Sequence, residues 1–209
     1  MTRLPIIEKK RKVCVICEGF EDFYYFKRLI DLGVWSKVYE FVPINAKGAS
    51  KIFARYQDAY SSDRYEVVLV FCDTDKSPYE AYKPVKSKIN SFHGCKDAAA
   101  KVIMYANPCT MQITLSHFDD VLLTKQSKKV NADIIEKITG VKGYDAHEDQ
   151  ILAICNKVFK RTYPDMKNRI RKINRGDIIS ASTNFIDFVD RFESDDYGWI
   201  QEINNYLET

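Results

Sequence analysis

The chain has 209 residues, 45% of them hydrophobic and 29% charged, and a formal net charge of +3. That length suits one α/β domain with a small appendage, and the composition is that of an ordinary globular protein. No apolar run approaches the ~20 residues of a membrane span, and the charge balance is too even to mark a nucleic-acid binder by itself.

In chain order, the basic stretch Met1–Lys12 has no apolar core after it of the kind a signal peptide carries, so a cytoplasmic location is expected. Val13–Cys17 reads as a buried strand ending in Glu18-Gly19. A helix over Glu21–Leu32 follows, stopped by Gly33. Tyr39–Ile44 is a second strand, and the loop Lys47-Gly48-Ala49-Ser50 leads into a helix that Ser50 can cap and that runs to about Tyr60. Val67–Cys72 is a third strand, uncharged and rich in β-branched and aromatic residues, and it runs into Asp73-Thr74-Asp75. A helix is expected near Tyr79–Phe92, kinked or broken by Pro84. Lys101–Tyr105 is a fourth strand, and Asn107-Pro108 opens a helix through about Leu123. After Lys125 the strand signals stop. Ala132–Ile138, Asp149–Phe159, Met166–Ile173, Asn184–Phe192 and Trp199–Tyr206 all read as helices.

This alternation predicts a mostly parallel four-stranded α/β sheet with helices on both faces over residues 1–125. Residues 126–209 form a helical extension packed on the sheet domain or over its carboxyl edge. Six cysteines raise the question of zinc. Cys14 and Cys17 sit three apart in one strand, which puts them on opposite faces, and no second pair has ligand spacing, so buried reduced thiols are expected.

Chemistry concentrates where strands end. Carboxylates at the carboxyl edge of a parallel sheet face the crevice where open α/β folds bind ligands. Asp73 and Asp75 lie two apart and face the same way on an extended backbone. With Glu18 from the neighbouring strand end they form an oxygen-donor set suited to a hard divalent cation. Asp22 lies four residues beyond Glu18 and can support or join that set, and Gly19 lets the backbone turn sharply and approach a phosphate. The plainer reading makes Asp73 and Asp75 caps of a turn. Lys76 and Lys47 are candidate cations beside a phosphate, with solvated loop lysines as the alternative. Lys157 to Arg175 is a basic run that includes Arg161, Arg169, Arg171 and Lys172 against Asp165 alone. It offers a phosphate-binding surface or a solvated helix face. His117, between Leu115 and Phe118 in a helix, reads as structural, and the Tyr24-Tyr25-Phe26 cluster reads mainly as core.

The segment Val15-Ile16-Cys17-Glu18-Gly19-Phe20-Glu21-Asp22-Phe23-Tyr24-Tyr25-Phe26 resembles the first motif of the Toprim domain, and Val68-Leu69-Val70-Phe71-Cys72-Asp73-Thr74-Asp75 resembles the second. The aromatic-rich helix and Asn107-Pro108 through His117-Phe118 are similar to the RloB-like branch. The resemblance covers roughly residues 10–125 and implies a Toprim-like Rossmannoid fold holding Mg2+ or Mn2+ on Glu18, Asp73, Asp75 and Asp22. It implies phosphodiester hydrolysis in DNA or RNA, with Glu18 in an acid–base role, in a setting of phage defence. An ATPase protein and a second copy of the chain are the further partners in view. One departure bears on catalysis: the branch usually reads Phe-Glu where this chain has Thr110-Met111, and Ile113 stands in place of a tryptophan. The missing ligand would then come from Gln112, Asp119 or Asp120, the last two lying near the end of the same helix, too far along to substitute directly. The alternative is a weakened Toprim module that binds nucleic acid or a partner ATPase without cutting. Chemistry on a small nucleotide is a third reading.

Overall fold

Val13–Cys17 and Val67–Asp73 are buried at every position. Because successive strand side chains point to opposite faces, this requires cover on both sides of the sheet. The computed structural model describes residues 9–74, 81–123, 128–177 and 181–208. Its elements are β1 (Arg11–Cys17), α1 (Phe20–Asp31), β2 (Tyr39–Asn45), α2 (Ala49–Tyr60), β3 (Val67–Asp73), α3 (Tyr82–His93), α4 (Ala98–Val102), β4 (Ile103–Asn107) and α5 (Met111–Leu115). Then come α6 (Lys128–Thr139), α7 (Glu148–Cys155), a 3-10 turn (Lys160–Thr162), α8 (Tyr163–Ile170), β5 (Ser182–Thr183), α9 (Phe185–Glu193) and α10 (Gly198–Leu207).

The sheet order is β2-β1-β3-β4-β5. The first four strands are parallel, as expected of a Rossmann-like α/β fold, and β5 runs antiparallel to β4 with Ala106 opposite Thr183 and Asn107 opposite Ser182. The sheet thus has five strands rather than four. The extra one comes from the region expected to be wholly helical, because the open edge of β4 needs a hydrogen-bonding partner.

The register places Phe41 of β2, Val13 of β1 and Phe71 of β3 on one face. Two helices cover it. Phe26 of α1 lies 5.8 Å from Phe41 and 6.2 Å from Phe71. Phe185 of α9 stacks on Phe71 at 5.1 Å, and Phe192 meets Phe41 at 4.8 Å. Trp35 joins this cluster and donates its indole N–H to the Tyr163 hydroxyl at 3.0 Å. A single hydrophobic cluster therefore takes residues from both the sheet region and the segment beyond residue 126. α2 and α3 pack against each other through Tyr56, Phe53 and Phe92. α10 closes the amino edge: Trp199 donates to the Tyr39 hydroxyl at 2.9 Å, and the Asn204 amide donates to the Glu66 carbonyl at 2.8 Å.

Three local expectations need correction. α3 begins at Tyr82, so Pro84 falls in the first turn, where a missing N–H removes no helical bond, and the helix is not broken. The chain reaches β4 through a short helix, Ala98–Val102, so that strand starts at Ile103 rather than Lys101. The helix expected from Asn107 to Leu123 is only Met111–Leu115. Beyond it, the Gln112 side chain folds the chain back by donating to the Val121 carbonyl at 2.7 Å and accepting from the Leu123 N–H at 2.6 Å. Among the described residues no helix is long and apolar enough to cross a membrane.

Candidate metal centre

β1, β3 and β4 deliver their carboxyl ends to one place. The Glu18 N–H extends the β1–β3 ladder to the Phe71 carbonyl at 3.0 Å, and the Thr74 N–H does the same from β3 to the Ala106 carbonyl at 3.0 Å. Asp73 follows Phe71 by two residues, so its side chain projects on the face that α1 covers. That parity brings it to the first turn of α1, where Glu21 and Asp22 are buried.

The carboxylates are tied together by donors. Glu18 Oε2 accepts the Asp73 backbone N–H at 3.1 Å. Asp73 Oδ1 accepts the Thr110 N–H at 2.7 Å and the Thr110 hydroxyl lies 3.1 Å from it, while the same hydroxyl bonds Asp22 Oδ1. Asp22 Oδ2 accepts the Gly19 N–H at 3.1 Å, which closes the entry to α1. The Tyr144 hydroxyl, from the loop before α7, donates to Glu21 Oε1 at 2.6 Å. Glu21, Asp73 and Cys109 each offer one ligand atom, and these atoms all lie within 4.8 Å of one another.

The field here is negative, and neighbouring groups register it. Burial, and then the charges of Glu18, Asp22 and Asp73, push the Cys72 thiol well up. Burial followed by the Glu21 charge does the same to the Tyr144 phenol. Such a field attracts a cation. The carboxylates of Glu18, Glu21, Asp22 and Asp73 fit a hard divalent ion such as Mg2+ or Mn2+ in donor type, whereas the Cys109 sulfur suits a softer one.

The expected site residues fare differently. The structure joins Glu18, Asp22 and Asp73, while Asp75 and Lys76 lie outside the described residues. Gly19 is extended, with φ −143° and ψ −158°, so a sharp turn is not what it provides; an added Cβ there would meet nothing within 4 Å. Lys47 stands exposed in a loop that the Gly48 N–H fastens to the Glu18 carbonyl at 2.8 Å. That closure needs φ of 61° at Lys47 and 119° at Gly48, the second of which strongly favours glycine.

Gln112 is spent on the chain that follows α5, and Asp119 and Asp120 are exposed. Glu21 and Cys109 instead stand within ligand reach of Asp73, and sequence reasoning missed both. Glu21 looks like an ordinary first-turn acid, and the signal that marks it is its burial by Tyr144, 123 positions away.

The basic run is largely engaged by the protein itself. Arg169 donates to the Ser116 carbonyl at 2.8 Å. Arg171 pairs with Asp190 at 2.5 Å, Lys167 with Glu193 at 2.5 Å and Arg175 with Asp187 at 3.4 Å. Helix α9 thus lays an acidic face along α8. Lys172 and Arg161 remain exposed, the latter 5.4 Å from the Phe159 ring. His117 is core: its ring nitrogens meet the Tyr25 hydroxyl at 3.0 Å and the Thr162 hydroxyl at 2.9 Å, and burial lowers it to about 3. All six cysteines are free, and Cys14 and Cys17 are both buried.

No protein-family model, no curated protein and no solved structure matches this chain.

Proposed function

We propose that the protein is a Toprim-type, divalent-metal-dependent phosphodiesterase acting on DNA or RNA. The observation that carries this reading is the meeting of Glu18 and Asp73 from the ends of adjacent parallel strands, joined by the 3.1 Å bond from the Asp73 N–H to the Glu18 carboxylate. Glu18, Asp73, Asp22 and Glu21 would hold Mg2+ or Mn2+, with Asp75 completing the set by its sequence position. A bound divalent ion neutralises phosphate charge and activates water. The chain itself orients: Asp73 N–H fixes the Glu18 carboxylate, Thr110 fixes Asp73 and Asp22, and Tyr144 fixes Glu21.

The test is incubation of purified protein with plasmid, single-stranded DNA and structured RNA in Mg2+ and in Mn2+, alongside Asp73→Ala. Cutting by wild type and not by the variant is expected. Equal inertness of both on every substrate would sink the hydrolytic reading.

A second reading has its own support. Thr110 gives its N–H to Asp73 Oδ1 and its one hydroxyl proton to Asp22 Oδ1, the hydroxyl oxygen also lying 3.1 Å from Asp73 Oδ1, so these carboxylates are already satisfied in part by the protein. That favours a weakened module that binds nucleic acid or a partner ATPase without cleavage. The same assay separates the two, since a module would bind substrate and leave it intact.

A further inference from the structure

At the opposite edge of the sheet lies a groove of about 700 Å3 whose walls include Lys9, Lys10, Arg11, Lys37, Asp195 and Tyr197. Arg11 opens β1 and Lys37 precedes β2, so the groove sits at the amino ends of the strands. The seven residues of β1 separate it from Glu18, about 23 Å at roughly 3.3 Å per residue.

Its charge is one-sided. Arg11 is committed to Glu66 at 3.2 Å. Lys9, Lys10 and Lys37 are exposed and enter no ion pair among the described residues. The single acid in the wall, Asp195, accepts a hydrogen bond from the Ser36 hydroxyl. The groove also contains a plate. The Arg11 guanidinium carbon lies 4.0 Å from the centre of the Tyr197 ring, and the residue is still 47% exposed. An aromatic ring held by a cation and left open to solvent, beside three uncommitted lysines, matches the chemistry of an unpaired base followed by its phosphates. A flat lipid surface does not fill a concave groove, an acidic peptide has no use for the stacking plate, and a duplex keeps its base faces covered.

We propose that this amino-edge groove binds a single strand of nucleic acid, with Tyr197 stacking a base and Lys9, Lys10 and Lys37 contacting phosphates. The site is separate from the acidic cluster and does not depend on hydrolysis there.

The experiment is fluorescence anisotropy of the full chain with a labelled oligothymidylate of about fifteen nucleotides across a salt series. Inorganic polyphosphate and vesicles of anionic phospholipid serve as competitors. Reversing Lys9, Lys10 and Lys37 together to Glu is expected to reduce the slope of log affinity against log salt by at least about 2, since each phosphate contact contributes about 0.7. Tyr197→Ala is expected to weaken the oligothymidylate about 5- to 150-fold and to spare polyphosphate, while Tyr197→Phe retains wild-type affinity. The titration is run in EDTA as well as in Mg2+, and binding is expected to persist without metal, which keeps this result independent of the hydrolytic reading. No binding by wild type, an unchanged slope in the triple variant, or binding lost in EDTA would overturn the proposal. So would Tyr197→Ala weakening polyphosphate as much as oligothymidylate, or vesicles displacing the strand from wild type more effectively than polyphosphate does.

Discussion

The two edges of one sheet have been built in opposite ways. At the carboxyl edge, Glu21, Asp22 and Asp73 are buried and Glu18 half-buried, and each is held by Thr110, Tyr144 or a backbone N–H group. At the amino edge, Lys9, Lys10 and Lys37 stand in solvent beside a half-open ring. Buried acids are positioned by structure, so they suit chemistry that depends on placement. Exposed lysines are positioned loosely, so they suit a long polyanion whose phosphates can adjust. The difference teaches that charge near a surface and charge built into a fold are suited to different tasks.

The contrast can be broken most severely at Asp73. Under the proposed function, Asp73→Ala is expected to lower metal-dependent hydrolysis by about 100- to 1,000-fold, the scale seen when one fixed group that stabilises transition-state charge is removed. Strand binding at the far edge should stay as in wild type. Turnover within tenfold of wild type would refute the assignment of Asp73.

A pH experiment probes the inner side of the contrast. Burial holds His117 neutral, with its folded value near 3 against 6.5 unperturbed. Between these values the unfolded chain takes up a proton that the folded one refuses. Stability is therefore complete above about pH 6.5 and falls as pH drops towards 3, by at most ~1.4 kcal/mol per unit from this group. Urea unfolding at stepped pH should show a shallower decline for His117→Gln than for wild type. Parallel curves would mean that His117 is not the group responsible.

Thr110→Val is a smaller change with a sharper question. Its hydroxyl reaches both Asp22 and Asp73, and losing it should cost about 1–3 kcal/mol of stability in metal-free buffer. Adding Mg2+ or Mn2+ should recover part of that loss if a cation can take over the hydroxyl's role. A deficit that is identical with and without metal would favour a purely structural cluster.

The smallest effect belongs to the amino edge. Replacing Lys9, Lys10 and Lys37 should move the free energy of unfolding by no more than ~0.5 kcal/mol per site, because exposed charges outside any network contribute little. A large loss would show that these lysines hold the fold together rather than contact a ligand.

The four parallel strands were readable in the sequence because Val13–Cys17 and Val67–Cys72 are apolar throughout, and only a strand covered on both faces uses such a run. The pairing of Glu18 with Asp73 followed from where those runs stop. Ser182-Thr183 was not readable: a two-residue strand has no period, and the edge of β4 decides that it forms. Glu21 and Cys109 were hidden for a related reason. Each belongs to the site through partners distant in sequence, Tyr144 for Glu21 and the acids of β3 and α1 for Cys109. The basic run from Lys157 looked free because Asp187, Asp190 and Glu193, which pair with its members, come later in the chain.

The position of Phe185 and Phe192 against Phe71 and Phe41 carries a consequence for timing during synthesis. A ribosome that has released only the first 125 residues has emitted the first four strands and α1, but not α9, the second helix that covers the same face, nor the strand that closes β4. The sheet must then wait with aromatic side chains in water, and this interval favours engagement by a chaperone. Limited proteolysis of stalled nascent chains of increasing length should show protection of the sheet arriving only once Phe192 has left the exit tunnel. Protection well before that point would mean that the sheet can stand without its late-made cover.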